Sequence, residues 1–307
     1  MGLRDALGVE HFLESIRSHH QGTPEANELG LDRQVVSYKQ RKEGVGVVIG
    51  LIDLIGRDER SKDDLLRESL VRLAEKLGEL PLAYHPGEQW RYSFGTDVTA
   101  RLVEVISGQR FDEFLKENIF APLAMVDTDF FVPADKQDRF TTMYAPVDLF
   151  EPMKGGLVKA DDPHEGVYSQ PRALLSGGGR LVSTVSDYLS FIRMLVAGGS
   201  WNGASIVKPE TLQLMRTNQL AAGVGVSFPM WAMPGTQFGL GFALKAEISG
   251  DEPDAMLDEY HWGGMAGTHS WMAPRVDLTG MCMTQRMPGF WHPFSHEFKH
   301  LAYQIAG

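Results

Sequence analysis

The sequence predicts an α+β fold: an antiparallel β-sheet flanked by helices, joined to a mostly helical and loop-rich subdomain. Three observations carry that prediction. Strand-like runs cluster late in the chain, at residues 238–247, 260–262, 268–273 and 278–285, the last three separated by short connections that contain Gly or Pro. A helical pattern follows them over residues 294–305, where Phe294, Phe298, Leu301 and Ile305 recur. Strands and helices do not alternate, which favours segregated layers over a parallel βαβ sheet.

The elements can be justified in order. Residues 1–60 are polar and weakly patterned; residues 11–18 fit a short amphipathic helix, 21–32 a loop, and 45–55 a buried strand or helix segment. The pattern sharpens over residues 61–80. Ser61, Asp63 and Asp64 suit a helix N-terminus, where side-chain oxygens satisfy free amides and acidic groups meet the positive end of the dipole. Leu65, Leu66, Leu70, Leu73, Ala74 and Leu77 then form one apolar stripe, and Gly78 offers a stop. Residues 81–90 read as a turn around Pro86-Gly87. Residues 96–107 give the next helix, with Val98, Leu102, Val103 and Ile106 on one face and Gly108 at its end. Residues 111–119 give another, which stops before Pro122 because the residue ahead of a proline avoids the helical region. Residues 127–179 are rich in Pro, Gly and Asp and weakly periodic, as lids and substrate-facing loops are. Residues 180–182 fit a short strand. Thr184 and Asp187 stand at capping-box spacing ahead of Tyr188, Leu189, Ile192, Leu195 and Val196, and Gly198-Gly199 ends that helix. Residues 209–216 make a shorter helix with Pro209 in its first turn. The expected organisation is a divergent N-terminal segment (1–60), a helical and loop subdomain carrying a tyrosine motif (61–175), and the sheet with its helices (176–307).

Composition narrows the function. The 307 residues are 43% apolar and 22% charged, ordinary for a globular chain. A formal charge of −11 argues against a nucleic-acid partner, since phosphate binding needs a basic face. The single cysteine, Cys282, excludes an intrachain disulfide and reads as a small buried hydrophobe within Met281-Cys282-Met283. No run approaches the ~20 apolar residues of a membrane span, and the N-terminus lacks a signal-peptide pattern, so a cytoplasmic location is the expectation. The composition says nothing of oligomeric state.

Chemistry concentrates in His85-Pro86-Gly87-Glu88-Gln89-Trp90-Arg91-Tyr92-Ser93. This segment puts a tyrosine just past a tight turn and just before a helix. A phenol held near helix-start amides or a lysine can act as a base; a buried corner tyrosine would look the same. The run from Pro86 to Met125, with Trp90, Tyr92-Ser93, Val103-Glu104-Val105-Ile106-Ser107-Gly108 and Phe120-Ala121-Pro122-Leu123-Ala124-Met125, resembles the second signature block of the β-lactamase-like serine hydrolases. That group includes class C β-lactamases, DD-peptidases and the family VIII esterases. Ser176-Gly177-Gly178-Gly179-Arg180, Phe238-Gly239-Leu240-Gly241-Phe242 and His261-Trp262-Gly263-Gly264 resemble its later blocks and follow in family order.

The resemblance implies a β-lactamase/transpeptidase-like fold, Tyr92 as general base, and a cleft in which Ser93, Trp262, Gly263 and Gly264 meet a small ester or amide substrate. It implies no cofactor. The family's Tyr-x-Asn becomes Tyr92-Ser93-Phe94 here, and Trp262-Gly263-Gly264 stands where β-lactamases carry Lys-Thr-Gly. Both departures, with Asp97-Val98, resemble the esterase branch and imply carboxylesterase-type hydrolysis through an acyl-serine.

One part of the pattern is missing. The family nucleophile opens a Ser-x-x-Lys motif upstream of the tyrosine, where i and i+3 share a helix face so that the amine reaches the hydroxyl. Only Ser205-Ile206-Val207-Lys208 has that spacing, and it lies downstream of Tyr92 with Lys208 ahead of Pro209. His292, His296 and His300 have metal-compatible i, i+4 spacing, but Glu297, the only carboxylate nearby, points off their face, so no metal is expected. No Gly-x-Ser-x-Gly elbow supports an α/β-hydrolase. Three readings stay open: an active hydrolase, a catalytically inactive relative that keeps the cleft, and a truncated product of an active parent. A cooperative melt favours the second over the third.

Overall fold

The computed structural model describes residues 70–306 except Ala83, Ser93, 149–150, Ser227, 229–231 and 290–291. The expected elements at 11–18 and 45–55, the first part of the 61–80 helix, and Ser93 lie outside the described residues. The chain forms two compact units: Met1–Phe111 with Arg172–Gly178 and Ser227–Ala232, and Asp112–Pro171 with Gly179–Val226 and Met233–Gly307.

In the first unit, α1 (Leu70–Gly78) packs against α2 (Gly95–Ser107). Leu70 and Ala74 are buried, as the stripe predicts. Helix α2 ends on Gly108, whose left-handed φ of 71° lets its N–H reach the Glu104 carbonyl. Its orientation differs from the pattern: Leu102 and Ile106 are exposed, while Asp97 and Ala100 are buried. The cause is tertiary. Asp97 Oδ1 accepts from Ser176 Oγ at 2.6 Å, and Gly177 sits so close to α2 that a Cβ there would lie 2.2 Å from the Thr96 carbonyl oxygen.

Helix α3 (Phe111–Leu115) continues into a π-turn over Lys116–Phe120, closed by the Ala121 N–H on the Lys116 carbonyl. The 127–179 stretch holds more structure than its composition suggests. A 3₁₀ turn (Ala134–Arg139) leads into the antiparallel pair β1 (Met143–Pro146) and β2 (Leu157–Asp161). Four of the five β2 residues are exposed, so no apolar alternation marks it in the sequence. Thr184 caps α4 (Val185–Val196), its side chain accepting the Asp187 N–H at 3.2 Å. The short hairpin β3 (Ser200–Trp201) and β4 (Ala204–Ser205) and helix α5 (Pro209–Met215), with proline at its start, follow.

Five strands then form an antiparallel meander in sequence order: β5 (Thr236–Phe238), β6 (Ala243–Lys245), β7 (Tyr260–Gly263), β8 (His269–Ala273) and β9 (Leu278–Cys282). The expected strand over 238–247 is thus two strands joined by a turn. A Cβ at Gly239 would lie 2.0 Å from the Met215 carbonyl, and Gly241 takes φ +92°, so the chain reverses there. Helix α6 (Phe294–Ala306) packs on β9. One sheet face joins Tyr260 and Met272 to Phe120, Ile192, Leu195 and Leu212; a second cluster holds Trp271, Ala273 and Tyr303.

Helix α6 also departs from its apolar stripe. Phe294, Phe298, Leu301 and Ile305 are exposed, at 52%, 43%, 56% and 87%, while Ser295, Lys299 and Tyr303 are buried. Glu259, only 1% exposed, decides the orientation. It accepts from Lys299 Nζ and from the Tyr303 hydroxyl at 2.5 Å. A carboxylate so deep in the fold needs such partners, because an unpaired buried charge costs far more than a few exposed apolar side chains.

Candidate active site

Tyr92 belongs to the first unit. The Pro86-Gly87 turn before it is closed by the Glu88 N–H on the His85 carbonyl at 3.1 Å, and by the His85 N–H on the Glu88 carboxylate at 3.1 Å. Gly87 takes φ +91°, which a residue with a Cβ rarely adopts. Tyr92 follows just ahead of α2, 43% exposed, with its ring 5.5 Å from that of Phe228. Trp90 meets the same Phe228 edge-on at 5.2 Å. Burial, and then the Asp97 carboxylate, push the Tyr92 phenol above its ordinary value. In these surroundings Tyr92 is a proton donor at neutral pH; acting as a base requires a cation beside it.

Trp262, Gly263 and Gly264 belong to the second unit, at the end of β7. Trp262 pairs with Ser270 and Gly263 with His269 across β8, and Trp262 packs edge-on against Phe238 at 5.3 Å. The Gly264 N–H donates to the Thr268 carbonyl at 2.8 Å. Both glycines are explained by this turn: a Cβ would lie 2.9 Å from the Thr268 carbonyl oxygen at 263, and 2.4 Å from Thr268 Oγ1 at 264. The sequence suggests close approach of backbone to a ligand at these glycines; the turn itself already demands them.

Residues that the sequence pattern does not group form a cluster on the α6 side. His269 Nε2 lies 3.4 Å from His261 Nδ1, His261 Nε2 lies 3.8 Å from Glu259 Oε1, and the His269 ring is 5.9 Å from that of His296. Burial first, then the Lys299 ammonium, hold His261 well below the usual histidine range and His269 at about 3. Both are therefore neutral at physiological pH. Lys299 is itself pulled down by burial, against the attraction of Glu259. The two histidines become diagonal neighbours on one sheet face once the short β7–β8 turn pairs His261 with Trp271 and Gly263 with His269; nothing local points to Glu259 or Lys299. Among the described residues no group of three or more His, Cys, Asp or Glu side chains is arranged to hold a metal. Ser205 ends β4, and Lys208 precedes α5 with extended backbone angles (φ −68°, ψ 146°), so the two do not share a helix face.

The meander closed by α6, the capped α4 beneath it and the Trp-Gly-Gly strand end define the β-lactamase/transpeptidase-like class of α+β folds. Residues 49–302 match the family model described as Beta-lactamase, and the chain belongs to that family. Protein Rv1367c of Mycobacterium tuberculosis is 31% identical over 219 residues, 69% of this chain and 52% of that protein. Esterase EstB of Burkholderia gladioli is 31% identical over 252 residues, 76% of this chain and 57% of that protein. The chain thus spans about half the length of the curated relatives it matches. Among solved structures, EstCE1, a hydrolase with promiscuous acyltransferase activity, superposes with a TM-score of 0.63 at 20% identity, over 81% of this chain and 62% of that one, a likeness of fold. Among the described residues no helix is long and apolar enough to cross a membrane.

Proposed function

We propose that this chain is an esterase-type member of its family, acting on small carboxylic esters through an acyl-serine, with Tyr92 as general base and Ser93, Trp262, Gly263 and Gly264 meeting the substrate. The observation that carries the reading is the Trp262-Gly263-Gly264 strand end, in a chain 31% identical to esterase EstB. A Lys-Thr-Gly strand would present an ammonium to an anionic substrate; a tryptophan and two glycines present an apolar wall without that charge, which suits a neutral ester. In the reaction Tyr92, ionised to the phenolate by the cation that this reading requires beside it, takes the proton of a serine hydroxyl as that oxygen attacks the ester carbonyl. Tyr92 returns that proton to the departing alkoxide, and water then cleaves the acyl-serine.

A second reading, a ligand-binding relative without acyl chemistry, is favoured by one specific observation. Burial and the Asp97 carboxylate raise the Tyr92 phenol rather than lower it. Intact mass after incubation with a fluorophosphonate probe separates the two. The esterase reading expects a single adduct on the folded chain, and a rate of labelling and of p-nitrophenyl ester turnover about 100-fold or more lower in Tyr92→Phe, the usual weight of a general base. A folded chain that takes no adduct leaves the binding reading.

A further inference from the structure

Behind the Trp-Gly-Gly strand, on the sheet face that carries α6, runs a file of polar side chains that the proposed chemistry does not use. Lys299 and Tyr303 of α6 both donate to Glu259, His261 Nε2 stands 3.8 Å from the same carboxylate, and His261 Nδ1 meets His269 Nε2 at 3.4 Å. The two ends of the file are fixed differently. Glu259 is buried beneath α6, whereas His269 opens β8 in register with Gly263. His261 is the middle link and the residue immediately before Trp262. Side chains alternate along a strand, so His261 lies on the face that carries α6 and Trp262 on the other. Burial keeps both imidazoles neutral, so each offers one N–H and one lone pair. A neutral pair can hold a single donor–acceptor contact without placing two positive charges side by side.

We propose that His261 and His269 are positioning residues: their contact between β7 and β8, on the sheet face that carries α6, holds the Trp262-Gly263-Gly264 strand end in place. The idea rests on the esterase reading for its purpose, but its physical content, a fixed strand end, does not. Hydrogen exchange on the full chain tests it whether or not the chain turns over esters. The Gly264 N–H, bonded to Thr268, reports the strand end directly, and α4, packed on the opposite sheet face, serves as the reference.

The expected result is that His261→Leu and His269→Leu speed exchange in peptides covering residues 262–268 by about tenfold, while α4 peptides keep wild-type rates, because the network holds one local opening unit. His269→Gln, which keeps a donor and an acceptor at that position, restores most of the protection; a mere packing role would not distinguish Gln from Leu in this way. Wild-type exchange at 262–268 in both Leu variants overturns the proposal, as does equal acceleration in α4. With ester turnover measured in parallel, the Leu variants lower kcat more than they raise KM and His269→Gln recovers kcat. An inactive wild-type chain sinks the esterase reading alone, since the exchange data still decide the role of the pair.

Discussion

The indole of Trp271 occupies the space that a side chain at position 280 would need. The two residues face each other across β8 and β9, and a Cβ at 280 would come 2.0 Å from Trp271 Cζ2. Trp271 is fully buried, with Phe298 5.9 Å from its ring and the Lys299 ammonium 5.8 Å away. The ring therefore has little room to retreat, and the added methyl must be absorbed by moving β9 or α6. Gly280→Ala is expected to destabilise the chain by about 1–3 kcal/mol, the usual cost of overpacking a filled core. A lowered midpoint in urea with an unchanged slope checks this; a midpoint within error of wild type would mean the indole can swing aside.

At the scale of whole elements, the buried face of a helix is set by its most demanding polar residue. Helix α4 illustrates the local case. Its Thr184 cap is legible because both partners lie within four residues, yet Asp187 does not reach back to close the capping box. Its carboxylate accepts instead from the Asp127 N–H at 2.7 Å and the Thr128 hydroxyl at 2.9 Å, tying the start of the 127–179 stretch to the helix. Thr184→Ala is accordingly expected to cost about 1 kcal/mol, an ordinary cap. Asp187→Ala is expected to cost more, on the order of 2–3 kcal/mol, because two donors lose a charged acceptor inside the fold. Denaturant unfolding of the two variants gives the ranking, and equal losses would reduce Asp187 to a surface residue. Helices α2 and α6 illustrate the distant case. Their positions and ends were legible from Gly108 and from the recurring apolar residues, but their rotation was not. Asp97 answers to Ser176, 79 positions away in sequence, and Lys299 to Glu259, 40 positions away. A periodic stripe records where apolar residues fall on a helix and carries no information on a partner brought by the rest of the chain. The site divides the same way. Tyr92 and Trp262-Gly263-Gly264 are proposed from resemblance alone, because family blocks are local strings. The polar file behind Trp262-Gly263-Gly264 was hidden because it exists only after β7, β8 and α6 meet.

Across the whole molecule the polar interior has a consequence for acid stability, and its sign can be worked out. In the unfolded chain His261 and His269 bind protons as pH falls through about 6.5. In the folded chain His269 stays neutral down to about 3, and His261 is also held well below its usual range. Between these limits the unfolded state binds more protons than the folded one, so stability falls as pH falls. The groups facing the pair act in the same direction: Lys299 of α6, Lys245 of β6 and His296 of α6 oppose a new positive charge at His261, while Glu259 is already occupied by Lys299 and Tyr303. Carboxylates that the fold holds low, Asp127 and Asp162, add their own loss only at more acidic pH, below about 4. The window from about pH 6.5 down to 4.5 therefore isolates the histidines. His269 contributes a slope approaching about 1.4 kcal/mol per pH unit, and His261 adds to it in the same direction. Urea unfolding of the wild-type chain at half-unit steps from pH 7.5 to 4.5 should trace a plateau followed by that decline, and His269→Gln should reduce the slope by about half. Parallel curves for the two proteins would show that His269 is not excluded from protonation in the folded chain.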